Sequence, residues 1–462
     1  MLAKFKKKYI GDWDFYQKYL LLAIPMILQN AITNLVSFLD NIMVGQLGTE
    51  QMSGVAIVNQ LIFVYNLAIF GAVSAASIFG AQYFGKGNHK GHMYSFRFKL
   101  YATLLVTGGA ILLFLTKGSA LIALYLTDTV GNGATDVALQ YGLEYLVIMI
   151  AGLIPFAVNQ SYATNIKETG QTFIPMLASF VAVGTNAILD YLMIFGIGPF
   201  PELGVQGAAL ATVIARYIEA LIVVLWAHTH REKNRYLEGA YTGFGIPIDE
   251  LKAILVKGLP LMMNEVIWAA GMTTVTQCYS VRGLDVVAGL NIASTITNLF
   301  NIVYLQLGSC ISIVVGQYLG AGKLEDAKDA DNKMIVFSVF CCVIMAVLMF
   351  VVGGFFPGIY NTTEEIRELA TSFIAVSAII MPFCAFSHAS YFTLRSGGKT
   401  VVTFLFDSVF TWVIVVPAAY LLAHFTGLGI VSIYFLVQGT ELIKVIIGYL
   451  MVKSNVWVVQ MV

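Results

Sequence analysis

The chain has 462 residues, of which 58% are hydrophobic and 11% charged, with a formal net charge of zero and a mean hydropathy of +0.80. Soluble domains carry about 25% charged residues, so this composition excludes a soluble globule and predicts an integral membrane protein. Zero net charge argues against a nucleic-acid-binding protein, which would show a basic excess. The five cysteines show no CxxC or Cys/His spacing, so neither a disulfide framework nor a zinc site is indicated.

Long apolar runs follow one another along the whole chain. A membrane-spanning helix needs about 20 mostly apolar residues. Runs of that length predict twelve helices, at about 18–43, 54–81, 95–117, 138–162, 173–196, 204–228, 251–280, 288–317, 332–352, 367–394, 400–423 and 430–452. The first run is longer than a signal peptide and is expected to be retained. The predicted fold class is therefore all-α, with twelve transmembrane helices.

Basic residues are distributed unequally between the two sides of these helices. Twenty Lys and Arg fall on the side of the N-terminus, three on the opposite side and three within spans. Because basic residues accumulate in cytoplasmic loops, both termini are expected in the cytoplasm, with the protein in the cell membrane.

The chain contains an internal repeat at an offset of 235 residues, which aligns positions 20–90 with 255–325 without a gap. The offset pairs Pro25 with Pro260 and aligns the glycine-rich segment 82–87 with 317–322. An even number of helices per half makes the two repeats parallel. We therefore predict an N-terminal lobe (1–228, helices 1–6), a solvated cytoplasmic linker (229–250) and a C-terminal lobe (251–462, helices 7–12). Transporters with such repeats bind substrate between the halves and rock them.

The segment Ser396–Thr400, with sequence SGGKT, resembles the end of a phosphate-binding loop. The first glycine of that motif is replaced by Thr393, and the segment joins two spans rather than a strand and a helix. ATP is therefore not expected as the energy source. An ion gradient is expected to supply the energy instead.

Ionisable residues inside spans are costly and mark functional positions by default. Arg216 with Glu219, and Lys444 with Glu441, are three residues apart on one helix, which predicts two structural ion pairs. Asp407 lies near the end of a span, where it is expected to reach water or lipid headgroups.

Asp40 and Asp190 both fall in the outer half of the membrane when depth is counted at 1.5 Å per residue. Asp40 belongs to a polar stripe on helix 1, Asn186 lies one turn before Asp190, and Thr212 of helix 6 reaches a similar depth. Carboxylate, amide and hydroxyl oxygens at one depth can share a proton or bind a small cation. The alternative is a set of separate polar contacts that pack helices.

Glu265 lies near the middle of helix 7, with Trp268 one turn further on. A carboxylate beside an aromatic face suits an organic cation, so both are candidate substrate contacts, together with Asn34 of the helix 1 stripe. The alternative for Glu265 is a protonated or internally paired carboxyl.

The chain resembles the multidrug and toxic-compound extrusion (MATE) transporters over nearly its whole length. The resemblance is carried together by Pro25, Asp40–Gly48, Gly80–Gly87, Asn186–Tyr191, Gly204–Thr212 and Gly316–Lys323. It implies two six-helix lobes forming a V, and export of amphipathic, often cationic compounds in exchange for Na⁺ or H⁺.

The resemblance also assigns residues to roles. It implies that the cation-coupling site consists of Asp40, Asn186, Asp190 and Thr212, and that helix 1 bends at Pro25. Glu265 matches an acidic position found in many relatives. This chain has Cys384 where some members carry an acidic residue in helix 10, a departure that favours coupling in the N-terminal lobe.

Three functions other than the export of small molecules are alternatives for this chain. A lipid-linked precursor flippase of the same superfamily is the main alternative, but it calls for a basic cavity, whereas the deep unpaired charges are acidic. A major facilitator transporter should carry an Asp in the loop after helix 2, and positions 82–99 contain no Asp or Glu. For a membrane enzyme no catalytic constellation emerges.

The expected partners are therefore small-molecule substrates and the lipid bilayer. Nucleic acid, ATP, other cofactors and metal ions apart from coupling Na⁺ are not expected. The protein is expected to be a monomer from a prokaryotic source.

Overall fold

A computed structural model describes residues 9–126, 134–243 and 245–462. We number the long helices α1 to α12 in chain order. They are α1 (Trp13–Gly45), α2 (Thr49–Lys86), α3 (His89–Leu126), α4a (Ala134–Ala151), α4b (Leu153–Glu168), α5 (Phe173–Ile194), α6 (Val205–Thr229), α7 (Ile248–Ser280), α8 (Leu284–Gly320), α9 (Leu324–Gly353), α10 (Glu364–Ser396), α11 (Thr400–Phe425) and α12 (Ile430–Lys453). Two short 3₁₀ helices lie at Arg235–Leu237 and Phe356–Ile359.

The helices confirm the predicted all-α, multi-span class. In the described part of the chain, eleven are long and apolar enough to cross a membrane, or twelve if the bent pair formed by α4a and α4b counts as one span. That pair bends by 45° at Gly152, within the stretch predicted as the fourth helix.

Large apolar side chains cover much of the outer surface. Leu105 and Leu112 of α3 are 79% and 65% exposed, and Val147 of α4a is 62% exposed. A soluble protein rarely exposes such surface over a wide area. Lipid tails solvate it without cost, as expected for a protein that spans a membrane.

The chain divides into two compact units. The N-terminal unit comprises Leu28–Gly80 and His89–Lys252, and the C-terminal unit comprises Ala81–Asn88, Ala253–Val462 and the described residues up to Ile27. The division therefore crosses α1 shortly after Pro25 and crosses α2 near its end. The division differs from the predicted lobes, because the start of α1 and the end of α2 group with the C-terminal half.

The segment between α6 and α7 belongs to the N-terminal unit and packs against it. Tyr236 and Leu237 are only 1% and 6% exposed. Arg97 of α3 donates hydrogen bonds to the carbonyl oxygens of Ala240 at 2.9 Å and Gly245 at 2.8 Å. The prediction of a solvated linker is therefore wrong for this stretch.

Within the C-terminal unit, the first turns of α1 pack against α8 and α9. The Tyr19 hydroxyl donates to the carbonyl oxygen of Leu307 at 2.8 Å and lies 3.3 Å from the hydroxyl of Ser338. Ala23 and Met26 are buried in the same apolar cluster. These contacts explain why the start of α1 groups with the C-terminal half.

The ends of α2 and α8 cross each other through repeat-related glycines. A Cβ atom on Gly85 would collide with the carbonyl oxygen of Gln317, and one on Gly320 would collide with that of Gln82. The offset of 235 relates Gly85 to Gly320 and Gln82 to Gln317. The contact is thus reciprocal, and each half of the duplication supplies the same two residue types to it.

Gln82 also holds the last residues of the chain. Its side chain is fully buried and donates to the carbonyl oxygens of Ser396 at 2.9 Å and Val459 at 3.2 Å. It accepts a hydrogen bond from the backbone N–H of Met461 at 2.8 Å. The end of the chain is therefore fixed to the crossing of α2 and α8.

The glycine crossing predicts that Gly85→Ala and Gly320→Ala each destabilise the protein. The added methyl group meets rigid backbone, so the helices must separate, at about 1–3 kcal/mol. The melting midpoint of purified protein in detergent measures the loss. Gly109→Ala in α3 is the matched control, since its Cβ would meet no atom within 4 Å. Equal midpoints for all three variants would contradict the close crossing.

Candidate functional site

The N-terminal unit brings four of the predicted site residues together. The carboxyl groups of Asp40 on α1 and Asp190 on α5 lie within hydrogen-bonding reach of each other. Asn186 is one helical turn before Asp190 and donates to the Thr212 hydroxyl of α6 at 3.4 Å. Four oxygen-bearing side chains from three helices therefore form one cluster, here called the carboxyl cluster.

The carboxyl cluster lacks the donors that two carboxylates would need. Asp190 is 1% exposed, and neither of its side-chain oxygens accepts a hydrogen bond of good geometry in the described residues. The same holds for Oδ1 of Asp40. Two carboxylates in contact repel each other and are costly to bury. A proton or a small cation between them would satisfy both.

Two further residues beside the carboxyl cluster were not identified from the sequence. The buried Tyr145 of α4a interacts electrostatically with Asp40 and Asp190. Its hydroxyl donates to Oδ1 of Asn59 on α2 at 3.3 Å. They come from two additional helices, so spacing along α1 or α5 could not have revealed them.

Arg216 of α6 stabilises the bend of the fourth span. Its guanidinium donates to the carbonyl oxygen of Gly152 at 3.3 Å and lies 5.0 Å from the Phe156 ring centroid. Glu219 instead accepts a hydrogen bond from Ser179. The predicted Arg216–Glu219 ion pair is therefore wrong, since the bend leaves a carbonyl that Arg216 satisfies.

A second buried ionic group lies in the N-terminal unit between α3 and α4b. The fully buried Lys99 contacts Oε1 of Glu168 at 2.5 Å, and His92 lies 3.3 Å from the other carboxylate oxygen. Lys99 also donates to the side chain of Asn165. Lys99 therefore lies inside α3 and has a fixed counter-charge.

The C-terminal unit contains a different polar centre, on an irregular part of α11. The stretches Leu405–Val409 and Thr411–Val415 widen into π-helical turns. Pro417 follows them, and a proline lacks an N–H and displaces the carbonyl one turn earlier, which favours such widening. Asp407 lies in the first wide turn.

Both carboxylate oxygens of Asp407 have partners. The Lys444 ammonium of α12 lies 2.7 Å from Oδ1, and the Asn264 amide of α7 donates to Oδ2 at 3.1 Å. Asn264 is held in turn by the Ser408 hydroxyl, which donates to its Oδ1 at 2.7 Å.

These contacts correct two predictions. Lys444 pairs with Asp407 on a neighbouring helix rather than with Glu441 one turn away, and one side-chain oxygen of Glu441 is buried without a hydrogen bond. Asp407 does not reach out to headgroups, because its carboxylate is directed to Lys444 and Asn264.

The predicted substrate contacts are divided between the units. Glu265 follows Asn264 on α7 and is partly buried, and Trp268 is 38% exposed one turn later. Asn34 is exposed on α1, in the N-terminal unit, and donates to the carbonyl oxygen of Asn30 at 2.9 Å. Cys384 of α10 is partly buried, and its carbonyl oxygen contacts His388 at 2.9 Å.

The chain matches a family model described as MatE over residues 25–192 and 260–421. It is similar to the "Probable multidrug resistance protein NorM" of Thermotoga maritima, with 24% identity over 89% of this chain and 86% of that protein.

This chain is similar in structure to two solved transporters. One is a multidrug resistance MATE family transporter described in an outward-facing conformation, with a TM-score of 0.84. The other is a MOP superfamily transporter from Pyrococcus furiosus, with a TM-score of 0.85, described as having a binding pocket of reversed polarity that suggests a different function. Each shares 20% identity, and each comparison covers 96% of both chains. At this identity the likeness establishes the fold.

The carboxyl cluster predicts a cation-dependent stability. A ligand that binds only folded protein stabilises it, by about 2.7 kcal/mol at 100 times its Kd. We expect Na⁺, or a shift from pH 8 to pH 6, to raise the melting midpoint of the parent protein. Asp190→Asn should reduce this response strongly, since one carboxylate no longer faces another. Glu202→Gln, at an exposed position, is the control and should keep the response; an unchanged response in Asp190→Asn would argue against cation binding here.

Proposed function

The chain belongs to the MatE family of membrane transporters, and we propose that it exports amphipathic, often cationic small molecules in exchange for Na⁺ or H⁺. The observation that carries this proposal is the carboxyl cluster. Asp40 and Asp190 are in contact inside membrane-spanning helices, and neither side-chain oxygen of Asp190 accepts a hydrogen bond of good geometry from the described residues. A site that needs a positive charge to be satisfied can take one up and release it.

In the proposed mechanism, the cation bridges Asp40 and Asp190 while Asn186 and Thr212 supply neutral oxygens. Uptake of the cation removes the repulsion between α1 and α5, and its release restores it. The occupied and empty states therefore favour different arrangements of these helices. Because coupling between two binding sites is reciprocal, cation binding that favours substrate release also weakens substrate binding.

We place the moving part of α1 near Pro25. A proline inside a helix removes one backbone hydrogen bond and weakens the helix locally. The division between the two compact units crosses α1 shortly after this residue. Residues before it are packed in the C-terminal unit, whereas Asp40 lies in the other. A bend at Pro25 would allow the outer part of α1 to respond to the cation.

For the substrate, we propose contacts with Glu265, Trp268 and Asn34. Glu265 combines a partly buried carboxylate with the indole of Trp268 one turn away, which together attract an organic cation. The names of the relatives, which are multidrug resistance proteins, support the proposal that the substrates vary in structure. We further propose location in the cell membrane with both termini cytoplasmic, from the distribution of basic loop residues, and a monomeric state.

A lipid-linked precursor flippase is the alternative function. It would need basic side chains free to bind phosphate groups. Of the three basic residues counted within spans, Arg216 and Lys444 are already engaged, with Gly152 and with Asp407. The third, Lys257, lies in the first third of α7. The observed contacts therefore favour export of cations over the flipping of phosphate-bearing lipids.

Efflux driven by an imposed gradient tests the proposal. In inverted membrane vesicles or proteoliposomes, a Na⁺ or proton gradient should drive transport of a fluorescent cationic dye by the parent protein. Asp40→Asn should reduce gradient-driven transport at least about tenfold, equivalent to about 1.4 kcal/mol of lost coupling. Glu202→Gln should transport like the parent. Intact gradient-driven transport by Asp40→Asn would show that coupling occurs elsewhere.

Glu265→Gln tests the substrate contact separately. Loss of the carboxylate should weaken transport of cationic dyes while that of neutral amphipathic dyes is retained, because only the charge is removed. Competition between a cationic and a neutral substrate of similar size measures the preference. An unaltered preference would remove Glu265 from the substrate site.

A further inference from the structure

The surroundings of Lys444 form a complete binding cage for a cation. Its ammonium lies 2.7 Å from the Asp407 carboxylate. It also lies 5.5 Å from the centroid of the Phe406 ring and 6.0 Å from that of Phe410. A carboxylate and two aromatic faces attract a small organic or inorganic cation through charge and cation–π interactions. We call these three residues the C-terminal cage.

The packing of the surrounding helices holds the Lys444 ammonium inside the cage. The Lys444 and Asp407 side chains are 8% and 17% exposed. Gly448, one turn after Lys444, lets α12 approach closely: a Cβ atom there would lie 3.0 Å from Oγ of Ser390 and 3.3 Å from Cζ of Phe406. The wide turn of α11 directs Asp407 toward α12. Backbone and side chains thus both place the ammonium in the cage.

Asp407 of the C-terminal unit and Asp190 of the N-terminal unit have opposite surroundings. Each carboxylate oxygen of Asp407 has a partner, and one of the two partners is the ammonium of Lys444, a cation that belongs to the chain itself. Asp190 has a second carboxyl group as its neighbour. In the N-terminal unit, the partly buried Arg216 is directed to Gly152, and the fully buried Lys99 is paired with Glu168. Of these two carboxyl sites, the carboxyl cluster is therefore the one that must take its positive charge from solution.

We infer that Lys444 is a tethered cation that occupies the C-terminal cage permanently and thereby confines exchangeable cation binding to the carboxyl cluster. The consequence for coupling rests on the proposed function. The occupation of the cage by Lys444 does not depend on that function. Lys444 is then a residue that determines where coupling occurs. Removal of its charge should convert the cage into a vacant cation site.

Cation binding by purified protein tests the inference without transport. The background is Asp40→Asn with Asp190→Asn, which removes the carboxyl cluster. In that background Lys444→Met should gain saturable binding of ²²Na⁺ or of tetramethylammonium at pH 8, measured against N-methylglucamine as the inert cation. Lys444→Arg keeps the cage occupied and should gain none. Adding Asp407→Asn to Lys444→Met should abolish the gain.

A chemical-rescue experiment covers the case in which Lys444→Met folds poorly. Lys444→Ala should recover its melting midpoint when propylammonium is added during purification, because the free ammonium replaces the missing one. Propanol, of similar size but uncharged, should not restore it, nor should propylammonium rescue Lys444→Ala combined with Asp407→Asn.

Absence of both effects, with neither cation binding by Lys444→Met nor propylammonium rescue of Lys444→Ala, would overturn the inference. The proposed function fails by a different result, namely gradient-driven transport that survives Asp40→Asn in the protein with Lys444 intact. The two failures are therefore distinguishable.

Discussion

A carboxylate inside a membrane-spanning helix needs a proton or a positive partner, because hydrocarbon offers neither water nor counter-ions. Three buried carboxyl groups in the described helices differ in how this need is met. Glu168 has the buried ammonium of Lys99 at 2.5 Å, and Asp407 has that of Lys444 at 2.7 Å. Asp190 has another carboxyl group. The first two have their counter-charge within the chain, and the third is the one for which we propose a cation from solution.

The same need explains which positions are structural and which can change. A buried pair held by a short contact resists separation, since each partner would be left as an uncompensated charge. Lys99 and Glu168 therefore fix α3 to α4b, as Lys444 and Asp407 fix α12 to α11. Asp40 and Asp190 do the opposite, because without a cation between them their repulsion works against the packing of α1 on α5. A reversible change of helix packing is consequently expected at that contact and not at the other two.

The sequence predicted the fold far better than the partners of its polar residues. Hydropathy places the spans because the membrane fixes both their length and their composition, and depth along each helix brought Asp40 and Asp190 to one level. Spacing within a helix failed for Arg216 and Lys444, since a neighbouring helix offered each a better partner than the residue one turn away. The wide turn before Pro417 and the bend at Gly152 create those partners. Neither irregularity, nor the burial of Tyr236 in the supposed linker, is visible in residue spacing alone.

Duplication explains how two halves with one framework came to differ in charge. The reciprocal contact of Gly85 with Gln317 and of Gly320 with Gln82 depends on both halves keeping the same small residue at the same helix end, so neither copy is free to change there. Lys444 and Asp407 in one half, and Asp40 and Asp190 in the other, take no part in that contact. One half can therefore acquire a lysine opposite its carboxylate while the other keeps two carboxylates opposite each other. If both halves needed an exchangeable cation, one transport cycle would have to load and unload two sites. Under the proposed coupling, a fixed ammonium in one half removes that requirement, and the contact between α1 and α5 is the place where the cation would be exchanged.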